Sequence, residues 1–104
     1  MSERITFAIP FHRGLGYLRE AIESVRAQRC DGWRCLVLDD RGEAGGVEEL
    51  VAGFGDARLT YRANEATLGI VGNWNRALDL ASTELVTLLH ADDRLLPEYC
   101  DVIL

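Results

Sequence analysis

The chain has 104 residues, the size of one domain, with 48% hydrophobic residues, 27% charged residues and a formal net charge of −6. The negative charge argues against broad binding to nucleic acid or to an anionic membrane surface, because both are negatively charged themselves. All eleven cationic residues are arginine, which excludes the lysine of a phosphate-binding P-loop and Schiff-base chemistry on lysine.

The three cysteines, Cys30, Cys35 and Cys100, do not predict a disulfide framework. Their number is odd, and no charged and apolar leader segment precedes them. The four residues between Cys30 and Cys35 do not match a zinc knuckle, so we interpret the cysteines as small core residues. No apolar run approaches the ~20 residues that cross a bilayer. We therefore expect a protein that acts in the cytoplasm or at the inner face of the membrane.

Strands and helices alternate along the first half of the chain. Residues 5–10 form a short apolar run closed by a proline, which predicts a buried parallel strand. From Gly14 to near Cys30 the apolar residues follow helical spacing. The predicted apolar face of this helix consists of Leu15, Leu18, Ile22 and Val25. Residues 34–39 (RCLVLD) predict a second strand, and the loop RGEAGG leads to a short helix around residues 47–54.

The second half repeats the alternation. Residues 58–62 predict a third strand, the polar loop ANEATLG follows, and residues 84–91 (ELVTLLHA) predict a fourth strand after a helix. That helix is predicted to bury one apolar face, with Trp74 as a core residue. The face comprises Val71, Trp74, Ala77, Leu78 and Ala81. The order β-α-β-α-β-α-β predicts an α/β, Rossmann-like fold, with a mostly parallel sheet of about four strands and helices on both faces.

Candidate site residues lie where three of the predicted strands end. These residues are Pro10 to His12 after the first strand, Asp39 and Asp40 at the end of the second, and His90, Asp92 and Asp93 after the fourth. In open parallel sheets, ligands bind beyond the carboxyl ends of the strands, where the strand order reverses. We therefore expect these residues to form one site.

Adjacent carboxylates repel each other unless a cation lies between them. Asp92 and Asp93 suit Mn²⁺ or Mg²⁺, hard ions that bridge protein carboxylates to substrate phosphates. Such an ion stabilises the charge that develops on a diphosphate leaving group. A purely structural interpretation stays open, because Asp92 and Asp93 also suit a polar turn that caps a helix beginning near Pro97. Asp39 and Asp40 likewise suit a turn.

A dinucleotide-binding motif is the main competing pattern. Gly14 and Gly16 follow a strand, open a helix and precede Asp39 by about twenty residues, as in the dinucleotide fingerprint. The third glycine of that fingerprint is replaced by Arg19, and residues 10–13 separate the strand from the glycines. This spacing disfavours an NAD or flavin site.

Four segments in order resemble the nucleotide-binding half of the family 2 glycosyltransferases, inverting enzymes of the GT-A fold. The segments are residues 5–11, VLDDRG, NEATLGIVGNWNRALDLA, and LVTLLHADD followed by LLPEY. The resemblance covers residues 1–104 as an N-terminal, nucleotide-sugar-binding part of a GT-A domain. It implies transfer of a sugar, with inversion, from a nucleotide-diphosphate sugar to an acceptor hydroxyl. A UDP-sugar is the favoured donor, and the implied acceptor is a saccharide or a lipid-linked saccharide.

The resemblance also implies roles for residues of the first two strand ends. Pro10 and Phe11 would flank the nucleotide base, with Phe11 as an aromatic able to stack on it. Asp40 would hydrogen-bond the edge of the base, with Asp39 beside it.

Later residues receive roles in the same way. The loop and helix start beneath the nucleotide would be shaped by Gly69, Asn73 and Asn75. Asp92 and Asp93 would reach the ribose and the Mn²⁺ or Mg²⁺ on the diphosphate. His90 stands where the family's acidic element begins with Asp, so its role stays open as a metal ligand or as a neighbour of one.

The general base of this family and most of its acceptor pocket follow the acidic strand. The chain stops within a predicted helix, at CDVIL, so we expect a truncated protein or a fragment that is inactive by itself. The fourth strand would then keep an open edge and favour self-association. The alternative is a non-catalytic module that binds nucleotide or packs against a partner domain.

Overall fold

A computed structural model describes residues 4–12, 15–29, 32–40, 46–64, 66–80, 83 and 85–89. The strands are β1 (Ile5–Phe11), β2 (Trp33–Asp39), β3 (Leu59–Ala63) and β4 (Leu85–Leu88), and the helices are α1 (Leu15–Arg26), α2 (Val47–Gly53) and α3 (Gly69–Leu80). The predicted order of elements is confirmed. Helix α1 ends earlier than predicted, because the Gln28 N–H turns back to the carbonyl of Val25 at 3.1 Å. Within the described ranges, no helix is both long and apolar enough to span a membrane.

The four strands form one parallel sheet in the order β3-β2-β1-β4. Strand β1 pairs with β2 from Ile5 beside Trp33 to Phe11 beside Asp39, and with β4 on its other side. The chain therefore proceeds from β1 in one direction and returns to the opposite side of β1 for β4. This reversal places the predicted switch point at the carboxyl ends of β1 and β4. Self-association through the free edge of β4 stays a prediction.

Helices cover both faces of the sheet, and this explains why the strands are almost continuously apolar. The larger core packs α1 and α2 against alternate residues of β1, β2 and β3, including Phe7, Trp33 and Val37. Cys35 belongs to this core, as predicted for the cysteines, whereas Cys30 and Cys100 lie outside the described residues. A smaller core lies on the other face. It contains Ala8, Leu38 and Ala77, with Leu80, Val86 and Leu88 against them.

The predicted apolar face of α3 is wrong for Val71 and Leu78 and confirmed for Ala77. Val71 is 68% exposed and Leu78 45% exposed, whereas Asn73 and Ala77 are buried. The helix turns this way because the Asn73 amide donates to the backbone carbonyl of Leu38 at 3.2 Å, and because the small Ala77 lets the helix approach the sheet. Trp74 is half-buried, while Ala81 lies outside the described residues.

Charged side chains cluster at the amino end of the sheet. The carboxylate of Asp56 accepts hydrogen bonds from Arg58 Nε at 3.0 Å, Arg58 Nη2 at 2.9 Å and Arg26 Nε at 3.3 Å. The Arg58 guanidinium lies 3.8 Å from the centroid of the buried Trp33 ring. The Arg58 hydrogen bonds hold the pKa of Asp56 at about 2, below its ordinary value of 3.8. This cluster fastens the start of β3 to the start of β2, far from the carboxyl edge.

Candidate functional site

A cavity of about 260 Å³ lies at the carboxyl edge of the sheet, between the ends of β1 and β2 and the start of α3. Its lining residues are Pro10, Phe11, His12, Asp40, Thr67, Gly69, Asn73 and Trp74. Six of the residues predicted for the site are therefore brought together here: Pro10, Phe11, His12, Asp40, Gly69 and Asn73. The cavity lies at the carboxyl edge of the sheet, the edge at which open parallel sheets bind their ligands.

Asp40 is the polar centre of this cavity, although it is only 3% exposed. Its Oδ1 accepts hydrogen bonds from Asn64 Nδ2 and from the Leu68 N–H, both at 2.7 Å, and its Oδ2 accepts one from the Gly69 N–H at 3.0 Å. A carboxylate has about four acceptor positions, two on each oxygen. Oδ1 is thus fully used, and Oδ2 keeps one position. Asp40 thus anchors the start of α3, and the hydrogen bonds within the described residues leave one acceptor position on Oδ2.

Two buried asparagines extend this arrangement. Asn64 Nδ2 donates to Asn73 Oδ1 at 2.7 Å as well as to Asp40, and Asn73 Nδ2 donates to the carbonyl of Leu38. Both hydrogens of the Asn64 amide are used, which fixes its orientation, and no hydrogen-bond partner is found for its buried Oδ1 in the described part. This network joins the ends of β2 and β3 to α3. It makes the wall of the cavity rigid.

The loop before α3 is also held by the backbone of Asp40. The Thr67 hydroxyl donates to the backbone carbonyl of Asp40 at 3.2 Å. Gly69 has a φ of +82°, a left-handed conformation that glycine adopts without the strain of a Cβ. The predicted role of Gly69 in shaping the helix start agrees with this geometry. Asn64 and Thr67 were not predicted as site residues. Asn64 is a polar residue directly after a strand, and Thr67 is a hydroxyl residue before a helix, and the sequence offers no stronger signal for either.

The two aromatic residues of the cavity differ in accessibility. Phe11 is 0% exposed and packs in the larger core, whereas Trp74 is half-buried and lines the cavity. Sequence periodicity assigned Trp74 to the core, because the rotation of α3 could not be predicted from its apolar residues. The half-buried Pro10 is the other apolar lining residue with accessible surface.

Two other predicted residues do not line this cavity. Asp39 is buried, and its Oδ2 accepts a hydrogen bond from the Tyr61 hydroxyl at 2.9 Å. Burial raises the pKa of Tyr61 to about 12, and the hydrogen bond to Asp39 acts in the same direction. Asn75 is exposed on α3. Asp39 thus joins the end of β2 to β3, one residue before Asp40, which lines the cavity.

The predicted acidic element lies outside the described residues, because His90, Asp92 and Asp93 all follow Leu89. Strand β4 itself lies beside β1. Leu88 lies beside Ala8, and the Leu89 N–H donates to the carbonyl of Ala8 at 2.8 Å. The chain thus leaves β4 next to the carboxyl end of β1. Among the residues that the structure describes, no three His, Cys, Asp or Glu side chains form a group able to hold a metal ion.

Known proteins match both the sequence and the fold. The sequence matches the model of Glycosyl transferase family 2 over residues 6–104. An uncharacterized glycosyltransferase of Methanocaldococcus jannaschii is 30% identical over 84 residues, which are 79% of this chain and 29% of that protein. The chain therefore spans less than a third of the length of this relative.

Solved structures match nearly the whole fold. Staphylococcus aureus TarS 1-349, in complex with UDP-GlcNAc, superposes with a TM-score of 0.87 and 20% identity over 96% of this chain and 30% of that one. The mannosyltransferase PcManGT of Pyrobaculum calidifontis, in complex with GDP-Man and Mn²⁺, gives a TM-score of 0.77 and 21% identity over 90% of this chain and 29% of that one. These matches confirm the predicted GT-A architecture. The chain belongs to glycosyl transferase family 2.

Proposed function

We propose that this chain binds the donor of a sugar transfer, a nucleotide-diphosphate sugar with Mn²⁺ or Mg²⁺. The reaction served is inverting transfer to a hydroxyl of a saccharide or a lipid-linked saccharide. The observation that carries the proposal is the cavity around Asp40, at the carboxyl edge of the sheet, in a chain of this family. The ligands of the two structural neighbours, UDP-GlcNAc and GDP-Man with Mn²⁺, support this class of donor.

The chemistry of Asp40 favours a uracil base in our proposal. Only one acceptor position is left on its carboxylate, on Oδ2, after the donors of Asn64, Leu68 and Gly69 are counted. Uracil presents a single N–H on its pairing edge, whereas guanine presents two neighbouring donor groups that call for both carboxylate oxygens. A UDP-sugar therefore matches the available acceptor better than a GDP-sugar.

Asp92 and Asp93 are the proposed ligands of the divalent ion. Their carboxylates are hard oxygen ligands, and in the sequence they follow β4 closely, after Leu89, which hydrogen-bonds to Ala8 of β1. When bound, the ion would neutralise the charge that develops on the departing diphosphate. The part of this chain in that step is to hold the diphosphate close to the nucleotide cavity.

The residue that deprotonates the acceptor is a separate part of the proposal. The matched relatives are more than three times as long as the region they share with this chain. We assign the general base and most of the acceptor pocket to the remainder of the family fold. The residues present here then bind the donor without transferring the sugar.

Calorimetric titration of the 104-residue chain with UDP, with and without Mn²⁺, tests the proposal directly. We expect binding that strengthens with Mn²⁺, and loss of that strengthening in the double variant Asp92→Asn, Asp93→Asn. Asp79→Asn is the matched control, because Asp79 is an exposed aspartate on α3 that does not line the cavity. Failure to bind UDP in either condition would contradict the proposal. Binding of NAD without any influence of metal would favour the dinucleotide alternative instead.

A further inference from the structure

Of the two aromatic side chains at the cavity, one has a ring that a ligand can reach. Phe11 has no exposed surface, because β1 directs it into the larger core with Ile9 and Val37. Side chains alternate along a strand, so Phe11 points away from the face on which Pro10 lies. Trp74 lines the same cavity and is only half-buried. A stacking partner needs exposed ring surface, and of Phe11 and Trp74 only Trp74 keeps exposed surface at the cavity.

The position of Trp74 is fixed by its neighbours in α3. Asn73, one residue before it, donates to the carbonyl of Leu38 and accepts from Asn64. The Gly69 N–H, at the start of the same helix, is held by Asp40. Any rotation of α3 that moved Trp74 away would break these buried hydrogen bonds. The backbone that carries Trp74 is therefore held in place before a ligand arrives, which lowers the entropic cost of binding.

We infer that Trp74, rather than Phe11, is the aromatic side chain that contacts the nucleotide base. This inference rests on the proposed function. A base offers both groups that the cavity can use, a π face for Trp74 and an N–H edge for the open acceptor position on Asp40 Oδ2. The transferred sugar has no π face. Phe11 then acts as a core residue that supports the end of β1.

Tryptophan fluorescence is a direct readout, because the chain contains only Trp33 and Trp74. Trp33 is fully buried at the first residue of β2, at the opposite edge of the sheet from the cavity. We expect UDP to quench the wild-type fluorescence with the affinity that calorimetry gives, and we expect the quenching to disappear in Trp74→Leu. In Trp33→Phe, Trp74 is the only tryptophan left. Its quenching by UDP should account for the whole fluorescence change of the wild type. Comparison of the wild type with Trp74→Leu gives the same answer without altering the core.

Affinity provides a second, independent readout. Trp74→Leu should weaken UDP binding about tenfold, which is the effect of losing a base stack of moderate strength. Trp74→Phe keeps an aromatic face and should remain within about threefold of the wild type. Leu78→Ala is the control on the same helix, because Leu78 is exposed and does not line the cavity.

The outcomes separate this inference from the proposal beneath it. If UDP binds but Trp74→Leu binds it as tightly as the wild type, or if binding leaves the Trp74 fluorescence unchanged, the assignment of Trp74 is overturned while nucleotide binding stands. Quenching by UDP-GlcNAc and not by UDP would place Trp74 at the sugar and also overturn the assignment. If the wild type binds no nucleotide at all, the proposed function fails, and the inference fails with it.

Discussion

Replacing Asp40 with asparagine tests whether this carboxylate organises the cavity as well as facing it. The substitution keeps the shape of the side chain and removes its charge and one of its two acceptor oxygens. The remaining oxygen can still accept from Asn64 and Leu68. The new NH₂ group then faces the Gly69 N–H across the 3.0 Å now spanned by a hydrogen bond, so two donors oppose each other.

The expected cost follows from the three hydrogen bonds. A hydrogen bond to a charged group contributes about 1.5–3 kcal/mol, and a neutral one about 0.5–1.5 kcal/mol. Two of the Asp40 bonds become neutral, the third is lost, and the Gly69 N–H faces a donor in place of its carboxylate acceptor. We therefore expect Asp40→Asn to lower the free energy of unfolding by about 3 kcal/mol, a large share of the ~5–15 kcal/mol typical of a domain.

Urea denaturation followed by circular dichroism measures this difference, with Asp79→Asn as the control. Asp79 is exposed, so its substitution should change the free energy of unfolding by no more than about 0.5 kcal/mol. A loss of less than about 1 kcal/mol in Asp40→Asn would show that the three hydrogen bonds do not hold the loop, and the structural role of Asp40 would have to be abandoned. A loss near 3 kcal/mol means that weaker UDP binding by an Asp40 variant is not proof of a contact with the base.

Three further predictions concern other parts of the chain. Because the pKa of Asp56 is lowered to about 2 by its Arg58 hydrogen bonds, its contribution to stability is present above about pH 4 and is lost as the pH falls toward 2. Acid titration of the unfolding free energy should show a smaller decline in Asp56→Asn than in the wild type, and equal declines would contradict the ion pairing. Burial raises the pKa of Cys35 to about 12, so site-resolved mass spectrometry should find Cys35 unalkylated by iodoacetamide at pH 8 until urea unfolds the chain. Gly69→Ala should lower the free energy of unfolding by about 1 kcal/mol, because Gly69 has a φ of +82°. Gly16→Ala, in α1 and equally free of nearby atoms, should raise it by about 0.5 kcal/mol. Equal effects of the two substitutions in thermal melts would refute the backbone argument.

The same polar network both holds the fold together and lines the proposed site. The role of a single residue in it is therefore hard to predict from sequence. Asp40 was predicted as a contact to the base, and its carboxylate carries three hydrogen bonds to the protein before any ligand is considered. Asn73 was predicted to shape the helix start, and its amide accepts a hydrogen bond from Asn64 and donates one to Leu38. A polar residue in a motif can therefore be retained by the fold and by the ligand together.

Local pattern determined the order of elements, the fold class and the edge of the sheet at which the cavity lies. An apolar run of strand length indicates a buried strand, and apolar residues at helical spacing indicate a helix with one buried face. Both patterns are local features of the sequence. The alternation β-α-β then requires parallel strands, and the polar residues after β1 and β2 must lie at their shared carboxyl edge. The segments that resemble the family agreed with this arrangement, and the family match over residues 6–104 confirms it.

Tertiary structure alone decided how α3 is rotated and, with it, which side chains face the cavity. The rotation is set by a hydrogen bond from Asn73 to Leu38, residues 35 positions apart, and by the fit of Ala77 against the sheet. Hydrophobic periodicity counts apolar residues and contains no information about such a distant acceptor. It therefore placed Trp74 in the core and left Asn64 unnoticed, because the energy of a buried hydrogen bond depends on partners that only the folded chain brings together.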